Sequence, residues 1–191
     1  MIKKIPDFLI KADTPLSRHC RDLTIVDFHE AVDYIFKLPY RRNSSKEDLT
    51  LVLSEECGVC STKHATLAAL ALENDFKELK LMLGVYQMNE KNTPGVGRIL
   101  EKSKLEFIPE VHTYLVFENE KIDITREVKT ETSPFESLLL EIEIQPSQIG
   151  EFKVELHRDF LEKWILENDV EYSLDEIWKI REDCISALVL G

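Results

Sequence analysis

Residues 55–65 read EECGVCSTKHA and lead into a stretch rich in alanine and leucine. The small residues are spread over several faces, which predicts a tightly packed central helix from about Ser61 to Glu73. Cys60 therefore stands at the start of this helix. Unpaired backbone N–H groups and the positive end of the helix dipole favour thiolate over thiol at such a position, and the thiolate is the nucleophilic form. Cys60 is thus the first candidate for a nucleophile, and Cys57 is the second.

A second segment, residues 111–125, has the pattern of a β-hairpin, with alternating apolar residues, a polar turn at 118–121 and a second short apolar strand. His112 lies near the start of the first strand, and Asp123 lies near the middle of the second. Folding about the turn brings these two side chains roughly side by side. Since a histidine oriented by a carboxylate is the general-base half of a Cys–His–Asp triad, the pattern predicts that both act with Cys60.

The net charge limits the partners that the protein can bind. The 191 residues include 36 acidic and 24 basic side chains, for a formal charge of −12. This field repels phosphate backbones and anionic membrane surfaces, so we expect neither nucleic acid nor membrane as a partner. No stretch approaches the roughly 20 apolar residues that a membrane span requires.

The N-terminal residues and the cysteines indicate a cytoplasmic protein. Residues 1–11 begin like a signal peptide, but proline and charged residues interrupt the apolar run, and no small-residue cleavage site follows. Four scattered cysteines are too few for a disulfide framework, which favours a reducing compartment.

The order of the predicted elements is that of an α+β protein. Helical spacing predicts a helix at 24–38, with Asp22 or Thr24 as its cap and Pro39 at its end, and residues 49–53 have the pattern of a short extended run. The other predicted elements are strands at 79–88 and 138–144, a short helix at 96–102, and amphipathic helices at about 153–167 and 174–190.

Two other chemistries remain open for the cysteine segment, because Cys57 and Cys60 form a CxxC pair and His64 lies one helical turn further on. One is dithiol–disulfide exchange, although the βαβ order of such a module is missing. The other is a metal site with these three ligands, completed by His112, although no second cysteine pair is present. A reversible Cys57–Cys60 disulfide that switches off Cys60 is a further possibility.

Each of these residues alone also fits a structural role, since unpaired cysteine is commonly buried and behaves as a small apolar residue. The joint pattern of Cys60, His112 and Asp123 is what favours chemistry. We expect His64 to line the cleft or to pack beside Cys60. The basic loop at residues 40–42 is either solvated or binds an anionic group of a substrate.

Three motifs together resemble the transglutaminase-like superfamily, in which a cysteine opens a helix of small residues and is followed by strands carrying His-x-Trp and Asp-Pro-Thr. Residues 60–67, CSTKHATL, match the first motif. Residues 112–114, HTY, match the second motif with tyrosine in place of tryptophan, and residues 123–125, DIT, match the third with isoleucine in place of proline. The resemblance covers residues 23–125.

This resemblance implies a papain-like α+β fold, in which a central nucleophile helix packs on an antiparallel sheet. Residues 1–191 would form one domain, with its core at 23–125 and a C-terminal helical extension at 150–191. Cys60 would attack an acyl carbon, His112 would shuttle the proton, and Asp123 would orient His112. Possible accessory residues are Cys57, His64, Tyr114 and Tyr40.

The function that this implies is cysteine-dependent acyl transfer, or hydrolysis of an amide or thioester, with no metal and no cofactor. The substrate would be a small molecule, a peptide or a protein that carries the acyl group. Some members of the superfamily have lost the chemistry, so a ligand- or protein-binding member without turnover is the alternative.

Overall fold

The computed structural model describes residues 5–126 and 130–189. Seven α-helices lie in this part of the chain: α1 (Pro15–Asp22), α2 (Phe28–Lys37), α3 (Leu51–Ser54), α4 (Cys60–Glu73), α5 (Gly97–Lys102), α6 (Glu151–Glu167) and α7 (Leu174–Val189). Four strands, β1 (Lys80–Met88), β2 (Ile108–Phe117), β3 (Glu120–Ile122) and β4 (Leu138–Ile144), form an antiparallel sheet in the order β3-β2-β1-β4. The predicted α+β class is confirmed.

Most of the predicted elements are found close to their expected bounds. The central helix α4, the strands β1 and β4, the short helix α5 and the long helices α6 and α7 all agree with the sequence patterns. Short 3-10 helices, at Pro134–Ser137 and Pro146–Ile149, flank β4 on either side.

Helix α2 begins later than the sequence indicated, and its predicted caps were wrong. Asp27 is the N-cap, because its carboxylate accepts the Glu30 N–H at 2.8 Å while Glu30 accepts the Val26 N–H at 2.8 Å. Thr24 instead adopts a left-handed backbone, with φ of +64°, in the loop before the helix. The Asp-x-x-Glu spacing at 27–30 is the sequence pattern of a capping box, so the signal was present but was not used.

Two short helices differ from the sequence-based expectation. Helix α1 was not predicted, although Pro15 occupies the first turn of α1, where proline is favoured. Residues 49–53 were expected to be extended, but residues 51–53 lie within α3. Asp48 accepts the Thr50 N–H at 3.0 Å and the Thr50 hydroxyl at 2.6 Å, which starts a turn that the helix continues.

The predicted hairpin is confirmed, with a tighter turn and a shorter second strand. Leu115 pairs with Ile122, and the turn is made by Glu118 and Asn119 alone, with φ of +49° and +66°. Two such angles are typical of the hairpin turn that matches strand twist. Because β3 ends at Ile122, Asp123 follows the strand and does not lie in its middle, and because β2 begins at Ile108, His112 lies near the centre of its strand.

The chain divides into two compact units built from alternating segments. Of the described residues, the first unit contains 5–83, 113–126 and 142–150, and the second contains 84–112, 130–141 and 151–189. The single domain inferred from the sequence stays a prediction.

In the first unit, α4 is the central element. Helices α1, α2 and α3 and the 3-10 helix at 146–149 all pack against it, and 11 of its 14 residues are buried, including Lys63 and His64. Beside α4, the ring of Phe8 stacks between Phe28 and Phe76, at centroid distances of 4.6 and 5.4 Å.

In the second unit, a buried ion pair joins β2 to α7. Glu110 accepts two bonds of 2.6 Å from Arg181, one from Nε and one from the terminal guanidinium nitrogen. Burial opposes ionisation of Glu110, but the charge of Arg181, with a smaller contribution from His157, outweighs it and lowers the pKa of Glu110 to about 2. The ring of Trp178 lies against Arg181, with its centroid 5.2 Å from the guanidinium carbon.

In the part of the chain that the structure describes, no helix has the length and apolar character needed to cross a membrane.

Glu110→Gln should lower the free energy of unfolding by up to about 3–5 kcal/mol, because it leaves the buried guanidinium of Arg181 with only the partly exposed carboxylate of Glu182. Urea denaturation followed by circular dichroism measures this loss. The matched control is Asp183→Asn, which breaks the exposed Lys179–Asp183 ion pair on the same helix and should cost less than about 1 kcal/mol. Equal losses in the two variants would contradict a central role for the buried pair.

Candidate functional site

Cys60 is the first residue of α4, as predicted, and its relative exposure is 8%. Val59 occupies the N-cap position with an extended backbone, and valine has no side-chain acceptor for the first N–H groups of the helix. The hydroxyl of Thr62 accepts the Val59 N–H at 3.0 Å and so fixes the chain that leads into the helix. Cys60 thus lies where the helix dipole and the first-turn amides act on it.

Gly58 allows the chain to pass close to this first turn. A Cβ at Gly58 would lie 2.9 Å from Cγ of Lys63 and 3.0 Å from the hydroxyl of Thr62. The backbone of Gly58 donates to the Pro39 carbonyl at 3.2 Å and accepts from Arg41 at 3.3 Å. The basic loop 40–42 therefore starts beside the CxxC segment.

Cys57 is fully buried among polar groups of the segment that follows Pro39. The amide nitrogen of Asn43 lies 3.6 Å from its sulfur and donates to its carbonyl at 3.0 Å. The side chain of Arg41 donates to the Glu55 carbonyl at 3.2 Å, and the interaction with Cys57 raises the pKa of Arg41. Tyr40, another predicted accessory residue, has its ring 5.5 Å from the guanidinium carbon of Arg126. All four cysteines are present as thiols.

His64 is fully buried, and the hydrogen bonds at its two ring nitrogens define its tautomer. Nδ1 lies 2.7 Å from the carbonyl oxygen of Cys60, which can only accept, so Nδ1 carries the proton. Nε2 accepts the Ile124 N–H at 2.8 Å and therefore carries none. The carboxylate of Asp123 lies 3.6 Å from Nε2, too far for a hydrogen bond. His64 is thus a neutral imidazole that connects α4 to the segment after β3.

Lys63 is the residue of this site that the sequence analysis missed. Its side chain is fully buried, and its ammonium donates to three carbonyl oxygens: Phe36 at 3.3 Å, Leu38 at 2.6 Å and Thr125 at 2.9 Å. The first two belong to the C-terminal end of α2, where carbonyls have no partner within the helix and a cation is favoured. The available signal was a lysine in a helix predicted to be packed on all sides, since such a lysine must be buried and therefore needs hydrogen-bond partners.

Burial of Lys63 also changes its acid–base behaviour. The loss of solvent lowers the pKa of Lys63 to about 8, while Asp123 and Cys57 act in the opposite direction. Burial disfavours the charged form of an amine, which explains the sign of the change.

Asp123 is held by the residue two positions after it. Its Oδ1 accepts the Thr125 N–H at 2.9 Å and the Thr125 hydroxyl at 2.5 Å. About 30% of the Asp123 side chain is exposed. In the Asp-x-Thr motif, the threonine therefore fixes one oxygen of the aspartate carboxylate.

His112, the predicted general base, lies in the second unit. Its ring is half-buried and lies 6.1 Å from the ring of Tyr86, edge to face, and 6.2 Å from that of Phe135. Tyr114, two residues further along β2, is fully buried, and the ammonium of Lys121 lies 5.5 Å from the centre of its ring. The joint action of Cys60, His112 and Asp123 stays a prediction, whereas the fastening of the Asp123 segment to α4 is observed.

The metal alternative does not fit His64, since both of its ring nitrogens are already used by main-chain groups. Among residues 5–126 and 130–189, no group of three or more His, Cys, Asp or Glu side chains is placed to hold a metal ion.

No family model matches the chain, and no curated protein or solved structure is significantly similar to it.

Lys63→Met should alter the pH dependence of stability. Between about pH 8 and pH 10.5 the folded protein has lost the Lys63 proton while the unfolded chain still binds it. The free energy of unfolding of the wild type should therefore rise relative to that of Lys63→Met across this window, by at most about 1.4 kcal/mol per pH unit. Urea midpoints measured from neutral to alkaline pH test this trend. Lys77→Met, at an exposed lysine, is the control variant. A flat difference for Lys63→Met would refute the lowered pKa of Lys63.

The tautomer of His64 can be observed directly at neutral pH. Long-range ¹⁵N NMR should show a protonated Nδ1 and an unprotonated Nε2, because the first donates to Cys60 and the second accepts from Ile124. Assignment of the signal comes from its loss in His64→Gln. The opposite tautomer, or a doubly protonated ring, would contradict this arrangement.

Proposed function

We propose that the protein is a cysteine-dependent acyltransferase or hydrolase, with Cys60, His112 and Asp123 as its catalytic triad. One observation supports this most directly: the segment that carries Asp123 is fastened to the first turns of the helix that Cys60 opens. His64 accepts from Ile124, and Lys63 donates to Thr125. A carboxylate held beside the first turns of the helix that a cysteine opens is one of the elements that a catalytic triad requires.

We assign His112 as the base because β2, the strand that carries it, pairs with β3, and Asp123 directly follows β3.

The reaction would proceed in two steps. The Cys60 sulfur attacks the carbonyl carbon of an amide or thioester, and His112 takes the thiol proton. The C–N or C–S bond then breaks, and the leaving amine or thiol receives that proton from His112. Water or an acceptor amine next attacks the acyl-cysteine and gives a proton to His112. The bond between the acyl carbon and the Cys60 sulfur then breaks, the sulfur takes that proton back from His112, and the acid or amide product leaves. Asp123 stabilises the imidazolium in both steps.

The start of α4 supplies the electrostatic part of this mechanism. A tetrahedral intermediate carries negative charge on oxygen, and first-turn N–H groups of a helix are suited to bind it. Because Val59 brings no side-chain acceptor to the helix start, these amides have no competing cap from that residue.

Iodoacetamide should alkylate Cys60 of the native protein near neutral pH at least tenfold faster than Cys20 or Cys184, because only a thiolate reacts rapidly. Burial raises the pKa of both comparison thiols to about 12, so they serve as internal controls. Peptide mass spectrometry after timed quenching gives the rate at each cysteine, and labelling in urea shows that all four can react.

His112→Ala should slow this alkylation, whereas Cys57→Ala should leave it nearly unchanged. An acyl probe, p-nitrophenyl acetate, should form an acetyl adduct on Cys60 of the wild type and none on His112→Ala. Alkylation of Cys60 as slow as that of Cys20, with no effect of His112→Ala, would rule out the triad. Rapid alkylation without any acyl adduct would favour the binding protein without turnover.

A further inference from the structure

Two consecutive residues of α4 hold the chain that follows Asp123. His64 accepts the N–H of Ile124 at 2.8 Å, and Lys63 donates to the carbonyl of Thr125 at 2.9 Å. Thr125 in turn gives two hydrogen bonds to the carboxylate of Asp123. An unbroken series of contacts therefore runs from the first turns of α4 to one oxygen of Asp123.

The segment needs these contacts because the sheet does not fix it. Strand β3 ends at Ile122, so residues 123–125 lie beyond the ladder of main-chain bonds that holds the hairpin. A buried N–H without a partner is costly, and Ile124 is fully buried. Nε2 of His64 is the acceptor that satisfies it.

We infer that His64 is a positioning residue of the proposed site, which sets Asp123 relative to the helix start that carries Cys60. This inference rests on the proposed acyl chemistry and gives His64 a role that the triad motif does not contain. His64 acts through a neutral ring whose two nitrogens bind main-chain groups of both catalytic segments: the Cys60 carbonyl at 2.7 Å and the Ile124 N–H at 2.8 Å.

The same geometry excludes His64 as the general base for Cys60. Its position one helical turn after the cysteine, with a carboxylate 3.6 Å from Nε2, resembles that of a general base. Both ring nitrogens are committed to main-chain atoms, however, and the one nearest Cys60 faces its carbonyl oxygen. A base requires a nitrogen lone pair directed at the thiol proton.

A matched pair of substitutions separates the hydrogen bond from the ring. His64→Gln keeps an acceptor that can reach the Ile124 N–H, whereas His64→Leu keeps the apolar volume and removes the acceptor. The readouts are the iodoacetamide alkylation rate of Cys60 near neutral pH and hydrogen exchange of the Ile124 amide measured by NMR. We expect His64→Leu to slow alkylation about ten- to a hundredfold and to expose the Ile124 amide, as misplacement of a catalytic group commonly does. His64→Gln should stay within about threefold of the wild type, because the bond that positions Asp123 is kept.

A second pair tests the other end of the series in case His64→Leu does not fold. Thr125→Val removes the hydroxyl that donates to Asp123 at 2.5 Å and changes the volume little, and Thr125→Ser keeps the hydroxyl. Thr125→Val should slow the alkylation of Cys60 about tenfold, since the carboxylate loses one of the bonds that orient it. Thr125→Ser should restore most of the rate.

Three results would overturn the inference. A folded His64→Leu that is alkylated at the wild-type rate would show that the bond to Ile124 has no effect on Cys60. Equal slowing by His64→Leu and His64→Gln would show that the imidazole itself is needed. Slow alkylation of Cys60 in the wild type, at the rate of Cys20, would refute the proposed function and with it the positioning role. This last result is distinguishable because it appears before any variant is compared.

Discussion

The burial of one ammonium group is the constraint on which the first unit depends. A charge removed from water must be surrounded by partners, and Lys63 donates hydrogen bonds to three main-chain carbonyls. Two of these lie at the end of α2 and the third is that of Thr125, so they meet at one point only if both segments pack on α4 together. The position of the residues after β3 is therefore coupled to where α2 ends. In the sequence CSTKHA, the lysine therefore holds the end of α2 and the residues after β3 against the helix that the cysteine opens.

The second unit meets the same problem in a different way. Glu110 and Arg181 neutralise each other through two parallel hydrogen bonds, which is the geometry that a guanidinium favours. Lysine has three separate donors and no planar fork, so it suits three carbonyls that approach from different directions. In each unit the buried charge joins elements that are far apart in sequence.

The sequence predicted the secondary-structure elements well and the hydrogen-bond partners of the buried side chains poorly, for a physical reason. Helix α4 and the hairpin follow from periodicity and turn residues, which are local. The roles of Lys63 and His64 depend on main-chain carbonyls and an N–H group, and these carry no side-chain signature. For the same reason the pattern of residues 60–64 fits a metal ligand or a histidine that lines the cleft as well as it fits the observed imidazole. The cap at Asp27 was readable from its spacing to Glu30, whereas the length of β3, and hence the place of Asp123 beyond it, was not.

The bonds from Thr125 make the two oxygens of Asp123 chemically different. Oδ1 receives two donors, so an asparagine at this position would have to turn its carbonyl oxygen toward Thr125. The amide nitrogen would then occupy the place of Oδ2, and a site that accepts hydrogen bonds would become one that donates them. Replacing Asp123 by its closest neutral analogue would therefore reverse the hydrogen-bonding polarity of that side of the group in addition to removing its charge. Thr125 thus determines which hydrogen bonds an asparagine at position 123 would make.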